Sequence, residues 1–177
     1  MPFKAKNGLL AIIIVLSTLS MAYAQGENAP LKQYSINEIR QLSAQKPKKL
    51  VIDVYTDWCS WCKKMDKSTY QNEGVIQQIN EDFYFVKLNA ETRDSIFFDN
   101  KIFTFQNQYK ANEFAVALLN GQMSYPSTVF LDEKLGLLTV VPGYLTPKDL
   151  SPILKYFGKD FHIKMKWDEF IKTNSEK

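Results

Sequence analysis

The two cysteines of this 177-residue chain, Cys59 and Cys62, stand three positions apart where an apolar run gives way to a basic one. The preceding residues 50–55 favour a buried β-strand, and the residues after Cys62 are compatible with a helix. At such a junction Cys59 would lie at the helix N-terminus, where free N–H groups and the positive dipole end favour a thiolate. Cys62 would lie one turn further on the same face, within reach of a disulfide. The pattern therefore predicts a thiol–disulfide redox site.

Three other interpretations of the cysteine pair remain open. A zinc site needs four ligands, and the chain offers one histidine, His162, about a hundred residues away. A purely structural disulfide would close so short a loop that its entropic gain is small. Two buried, inert thiols fit poorly with the polar neighbours Asp57, Ser60 and Lys63. Redox chemistry is favoured over all three.

The first 24 residues have the pattern of a secretory signal peptide. Lys4 and Lys6 form a positive beginning, and residues 9–19 form an apolar core that is short for a membrane span. The sequence Ala-Tyr-Ala at 22–24 then predicts cleavage before Gln25, so we expect an exported, periplasmic protein. An uncleaved membrane anchor is the alternative.

Charge and size restrict what the remaining chain can do. Without Lys4 and Lys6, the 22 basic residues become 20 against 19 acidic ones, a formal charge of +1 over residues 25–177. This balance argues against nucleic-acid binding, which calls for a basic patch. A chain of this size buries about 68–70% of its unfolded surface. The cysteines are therefore not needed to hold the fold together, and in an exported protein they are free for chemistry.

Local signals divide the chain into elements. Residues 25–34 are predicted to be a flexible lead-in, and residues 159–177 a C-terminal tail with a short helix near 167–171. Between them, polar N-caps followed by helical spacing predict the helix starts, and β-branched and aromatic runs predict the strands. The predicted helices begin after Ser35, Asn72, Asn112 and Thr146. The predicted strands are 50–55, 83–88, a β-rich run that Pro126 opens and that reaches Leu131, and 137–141.

Residues 90–122 form a predicted insertion. Its residues predict a β-hairpin over 96–105, followed by a helix that Asn112 caps. Its aromatic residues are either a partner-binding surface or a satellite core under the insertion; the satellite core is favoured because exposed apolar patches are rare on soluble proteins. They are Phe97, Phe98, Phe103, Phe105 and Tyr109.

Two charged residues and a proline stand out within the strands. Asp53 lies in the apolar strand 50–55, where ionisation costs several kcal/mol unless the carboxylate is paired, so we expect a raised pKa. The alternative is that Asp53 faces a polar loop. Lys87 lies near the end of the strand 83–88 and either has a function or reaches out to solvent. Pro126 opens a β-rich run and is a candidate cis-proline.

In this order, the elements and motifs resemble the thioredoxin family over residues 35–158. The matching stretches are residues 53–63 with both cysteines, 86–89, 125–128 and Gly143. The W-C-x-W-C-K-K-M run at 58–65 is similar to an exported bacterial branch of that family. The chain departs from the pattern of the family in two places. The dipeptide between the cysteines is Ser60-Trp61, where thioredoxins have Gly-Pro, and the insertion 90–122 is longer than the usual connection. The resemblance implies an α/β fold with a central mixed β-sheet flanked by helices, and the insertion placed before the cis-proline strand.

The resemblance also assigns catalytic roles. Cys59 would be the exposed nucleophile and Cys62 the buried resolving thiol. Asp53 would accept the proton of Cys62, a task that a raised pKa suits. Lys87 matches the lysine beside that acid.

Substrate-binding residues follow from the same comparison. Pro126, in cis, would stand beside the cysteines and let the backbone of Tyr125 pair with an extended substrate segment. Trp58 and Trp61 would form an apolar rim for polypeptide.

These features predict an exported thiol–disulfide oxidoreductase, reducing or isomerising protein disulfides in preference to oxidising them. It would act as a monomer, without cofactor, metal or nucleic acid, and it would need a membrane-embedded or other thiol electron donor. The alternative from another class is a redox-silent module that binds a partner, or a soft metal such as copper(I), through both thiolates.

Overall fold

The computed structural model describes residues 29–175, so the predicted signal peptide lies outside the described residues. In chain order the elements are β1 (Gln33–Tyr34), α1 (Ile36–Gln45), β2 (Lys49–Tyr55), α2 (Ser60–Ser68), a 3-10 helix (Thr69–Gln71), α3 (Glu73–Asp82), β3 (Phe83–Asn89), β4 (Ile96–Phe98), β5 (Lys101–Phe103), β6 (Phe105–Gln106), β7 (Ala111–Asn112), α4 (Glu113–Leu118), β8 (Ser127–Leu131), β9 (Leu137–Pro142), α5 (Pro147–Gly158), α6 (Phe161–Lys164) and α7 (Trp167–Ser175). Within this range no helix is both long enough and apolar enough to cross a bilayer.

A five-stranded mixed sheet is the centre of the fold, in the order β1-β3-β2-β8-β9. β1 and β2 both run parallel to β3, whereas β8 runs antiparallel to β2 and β9 antiparallel to β8. This is the predicted thioredoxin fold, with β2 as its central strand. In the register, Asp53 lies opposite Lys87 on one side and Thr128 on the other.

The alternating side chains of β2 supply both cores. Leu50 and Ile52 pack on one face with buried residues of α1 and α4. Val51 packs on the other face with buried residues of α2, α3 and α5. Because side chains alternate along a strand, Asp53 belongs to the second face, the one that α2 covers. The sheet thus places a carboxyl group beneath the helix that carries the cysteines.

Helix starts follow the predicted capping signals. Ser35 caps α1 and Thr146 caps α5, each in a capping box. The side chains of Asn72 and Asn112 accept backbone N–H groups at the starts of α3 and α4. All four predicted starts are confirmed.

The lead-in is ordered where the structure describes it, contrary to the prediction of a flexible segment over 25–34. Residues Gln33 and Tyr34 form β1. Asn80 holds the chain before them, because its side chain donates to the carbonyl of Pro30 and accepts from the amide of Lys32. These contacts join residues about 50 positions apart, which local sequence patterns do not reveal. Residues 25–28 lie outside the described range.

The insertion contains the predicted hairpin and helix, with a second short strand pair between them. β4 pairs with β5 and β6 with β7, all antiparallel. Phe98 and Phe103 both pack against Phe114 of α4, so these rings are part of a core, as favoured. This core is the main one and not a satellite, because Phe98 and Phe114 belong to the same buried cluster as Leu50 and Ile52 of β2. Tyr109 is exposed and takes no part in it.

The C-terminal segment is packed on the domain and is not a tail. α7 buries Phe170 completely, and its ring contacts Tyr156 of α5. The hydroxyl of Tyr156 donates to the carbonyl of Met165 at 2.8 Å. An aromatic cluster therefore extends the core through residue 170, beyond the predicted domain end at 158.

We expect Tyr156→Phe to lower the free energy of unfolding by about 1 kcal/mol, because it deletes one hydrogen bond and leaves the Met165 carbonyl without its partner. Urea denaturation checks this. Tyr109→Phe is the matched control, since the exposed Tyr109 should change stability by less than about 0.5 kcal/mol. Equal effects of the two variants would contradict the docking of the C-terminal helices on α5.

Candidate active site

Cys59 is the N-cap of α2 and is joined to Cys62 by a disulfide. Its Sγ accepts the backbone N–H of Cys62 at 3.1 Å. Its own amide donates to the carbonyl of Thr56, which turns the chain from the end of β2 into the helix. The sulfur of Cys59 therefore faces the positive end of the helix dipole, where a thiolate is stabilised.

Both cysteines are almost fully buried. The exposed fraction is 5% for Cys59 and 2% for Cys62. The expectation that Cys59 is exposed is therefore wrong for this disulfide state, because each sulfur covers the other and Cys59 Sγ is turned into the first helical turn. The exposed groups at the site are the flanking indoles, with Trp58 66% and Trp61 54% exposed.

Asp53 lies buried in β2, with only 1% of its surface exposed. Lys87 Nζ is 3.0 Å from its Oδ2. Burial raises the pKa of Asp53 from 3.8 to about 6, and the Lys87 ammonium opposes that rise without cancelling it. The prediction of a raised pKa in an apolar strand is confirmed, and the alternative of a polar loop is not observed.

Lys87 is shared by two carboxylates. Besides Asp53 it forms an ion pair with Asp66, on the second turn of α2. Burial lowers the pKa of Lys87, but the two carboxylates outweigh it and the net pKa is raised. Lys87 is mostly buried, which excludes the alternative of a lysine reaching freely into solvent. Lys87 and Asp66 also line a surface cleft beneath the residues that precede β1, including Leu31.

Trp58 stands on the side of the site nearer the insertion. Its Nε1 donates to Glu91 Oε1 at 3.0 Å, and its ring lies edge-on to Tyr125 with centroids 5.8 Å apart. The Tyr125–Pro126 peptide bond is cis. Trp58, the residue before Cys59, therefore contacts the segment that contains the cis bond.

Trp61 packs against the loop after β9. Its ring lies 5.4 Å from that of Tyr144, and Lys64 Nζ lies over both rings, 4.7 Å from the Trp61 centroid and 5.0 Å from that of Tyr144. We call Trp61, Lys64 and Tyr144 the cationic ledge.

The loop that carries Tyr144 begins at Gly143. This glycine adopts φ 94°, a conformation that favours glycine, and its amide donates to the Pro126 carbonyl at 2.8 Å.

The comparison with protein families decides what kind of domain holds this site. A family model for a thioredoxin-like domain matches residues 36–158, well over half of the chain. The chain belongs to the thioredoxin-like domain family.

Solved structures agree with that membership at the level of fold. A thioredoxin-fold protein from Helicobacter pylori is 19% identical and superposes with a TM-score of 0.58, covering 86% of this chain and 90% of its own. A DsbH oxidoreductase is 20% identical with a TM-score of 0.53, covering 74% and 86%.

Curated relatives match over limited stretches. A thiol:disulfide interchange protein DsbD from Actinobacillus pleuropneumoniae is 38% identical over 48 residues, which are 27% of this chain and 8% of that protein. An uncharacterized protein from Caenorhabditis elegans, B0495.5, is 25% identical over 156 residues, 83% of this chain and 20% of its own. The chain thus matches a fifth or less of the length of these relatives.

The structure connects the eight predicted site residues in groups. Cys59 is bonded to Cys62, Asp53 is paired with Lys87, Trp58 contacts Tyr125 next to the cis bond to Pro126, and Trp61 contacts Tyr144. The catalytic and substrate-binding roles of these residues stay predictions. Sequence reasoning did not identify Asp66, Glu91 or Tyr144. Asp66 carries one usable signal, since it follows Cys62 by four residues on the same helix face. For Glu91 and Tyr144 the sequence offers no comparable signal, because their partners come from distant segments.

Proposed function

We propose that this protein is a thiol–disulfide oxidoreductase that reduces or isomerises disulfides of other proteins outside the cytoplasm. The observation that carries the proposal is the Cys59–Cys62 disulfide at the first turn of α2, above the buried Asp53. A dithiol in this position is activated by the helix dipole and has a proton acceptor below it.

The reaction begins from the reduced dithiol. The Cys59 thiolate attacks one sulfur of a substrate disulfide, forming a mixed disulfide and expelling the other substrate sulfur as a thiolate. Cys62 loses its proton to Asp53 and attacks Cys59 Sγ. This step releases the second substrate thiolate and leaves the Cys59–Cys62 disulfide that the structure contains. Two electrons have passed to the substrate, whose thiolates take up protons from the solvent.

Asp53 suits the role of proton acceptor for Cys62. A group with a pKa of about 6 is largely ionised at neutral pH, yet basic enough to take a proton. Lys87 keeps the carboxylate paired, and Lys87 and Asp66 both line the cleft. The cleft would offer the proton a route to solvent.

Substrate polypeptide would bind across the disulfide, between the two indoles. Trp58 and Trp61 offer exposed apolar surface on either side. The backbone of Tyr125, ahead of the cis bond to Pro126, would pair with an extended segment of the substrate. A flexible or partly unfolded protein fits such a groove.

The proposed direction is reduction or isomerisation. A strong oxidant requires heavy stabilisation of its reduced thiolate, and the intervening residues Ser60 and Trp61 supply no cation. The cycle then needs a thiol donor, membrane-embedded or otherwise, to return two electrons to the disulfide. The limited likeness to thiol:disulfide interchange proteins supports this class of partner. The basic and apolar beginning of the chain supports export to the periplasm, and we propose that the protein acts as a monomer.

Equilibration with glutathione redox buffers tests the direction. We expect a reduction potential between about −270 and −180 mV, the range of thioredoxins and protein disulfide isomerases. A value near about −120 mV, the strong-oxidant end of the range, would reverse the assignment. The fraction of disulfide is read by alkylation and mass measurement of the full chain.

A further inference from the structure

The Lys64 ammonium, two residues after Cys62, is held by two aromatic rings. It lies over the rings of Trp61 and Tyr144, and no ion pair to Lys64 is found among residues 29–175. A lysine whose only role is to make a helix face polar does not need two aromatic contacts, whereas Lys64 has them. Contacts of this kind hold the side chain in place while its N–H groups stay available.

Acidic side chains lie near the other exposed indole, Trp58. Glu91 accepts the indole N–H of Trp58, and Asp57 accepts the side-chain amide of Asn89 at 3.1 Å. Each of the two exposed indoles, one before Cys59 and one between the cysteines, therefore has one charged neighbour: a carboxylate at Trp58 and an ammonium at Trp61. We expect a polypeptide bound at the disulfide to contact both.

The loop that supplies Tyr144 to the cationic ledge is connected to the segment that contains Tyr125. The Gly143 amide donates to the carbonyl of Pro126, which ties the loop carrying Tyr144 to the segment that would pair with substrate. A substrate residue bound there lies near the exposed face of Trp61 and the Lys64 ammonium.

We propose that the cationic ledge selects substrates with acidic side chains on one side of their reactive cysteine. The carboxylate would pair with Lys64 at the Trp61 side, while Glu91 and Asp57 disfavour acids at the Trp58 side. The inference rests on the proposed function. It adds a preference for protein substrates with acidic residues on one side of the reactive cysteine.

Four peptide disulfides test the inference on the full chain. They share one cysteine and carry either two aspartates or two lysines, placed either before or after it. For one of the two placements, we expect the wild type to show a kcat/KM about threefold to tenfold higher for the acidic peptide at low salt. This preference should shrink as salt is added. Because the comparison is a ratio within one enzyme, any change in its own reduction potential largely cancels.

Lys64→Glu should reverse the preference at that placement. Lys67→Glu is the matched control, because Lys67 is exposed in the last turn of the same helix and changes the net charge equally. Tyr144→Ala should weaken the preference without reversing it, since Lys64 keeps its charge but loses one aromatic contact.

The outcomes separate the two claims. Equal turnover of acidic and basic peptides by the wild type, in both placements, overturns the inference and leaves the oxidoreductase intact. The inference is also overturned if Lys67→Glu changes the preference for acidic peptides as much as Lys64→Glu does. The net charge of the protein, and not the cationic ledge, would then determine the preference. Failure of the wild type to reduce any of the four peptides overturns the proposed function itself.

Discussion

We expect Cys59→Ser to slow the reduction of insulin disulfides by at least about a thousandfold. A serine hydroxyl at neutral pH cannot replace a thiolate as the nucleophile. Cys62→Ser has a comparable effect on turnover, since the mixed disulfide is then not resolved. The measurement is the turbidity of precipitating insulin chains, with dithiothreitol as the terminal reductant.

Ser60→Ala supplies the control, because Ser60 is exposed between the cysteines and contributes no sulfur. It should keep activity within a few-fold of the wild type. Cys62→Ala should in addition hold a protein substrate on Cys59 as a mixed disulfide that dithiothreitol releases. Unchanged biological function in both serine variants would instead favour the redox-silent binding module.

Asp53→Asn is expected to stabilise the oxidised protein by about 3 kcal/mol at pH 8 and by little at pH 4. The pKa of Asp53 is about 6 in the folded state and near 3.8 when exposed, a difference of about two units. The folded state therefore binds the extra proton between these values, and stability falls as the pH rises from about 4 through 6. Above that window, the wild type bears the full cost of an ionised buried carboxylate and asparagine does not.

Urea denaturation of both proteins at pH 4 and pH 8 measures the effect. Asp94→Asn is the matched control, because Asp94 is exposed and should change stability by less than about 0.5 kcal/mol at either pH. A stabilisation by Asp53→Asn that is the same at both pH values would contradict the raised pKa. The same variant should slow insulin reduction, because the proposed acceptor for the Cys62 proton is gone.

The features that sequence predicted well are those with local causes. Ser35, Asn72, Asn112 and Thr146 each begin a helix because one side chain satisfies backbone N–H groups two or three residues later. The same holds for Cys59, whose position at a helix start follows from the strand before it and the helix after it. Asp53 was identifiable because a carboxylate within an apolar strand is unusual.

The features that sequence missed depend on long-range partners. β1 is two residues long and exists through its pairing with β3, about 50 residues away. Asp66 matters because Lys87 reaches it from the neighbouring strand, and Tyr144 because the turn at Gly143 brings it to Trp61. Residue spacing places Asp66 on the helix face of Cys62 but does not reveal its partner Lys87. The pairing of β1 with β3 and the contact of Tyr144 with Trp61 likewise follow from the sheet order and not from the neighbouring sequence.

The hydrogen bond from Gly143 to Pro126 continues the ladder between β8 and β9 by one step beyond the pairing of Ser127 with Pro142. The backbone segments that carry Tyr125 and Tyr144 therefore leave the sheet from adjacent strands and are held together at that point. On the proposed function, we expect the spacing between these two segments to be set by the sheet and not by the bound substrate.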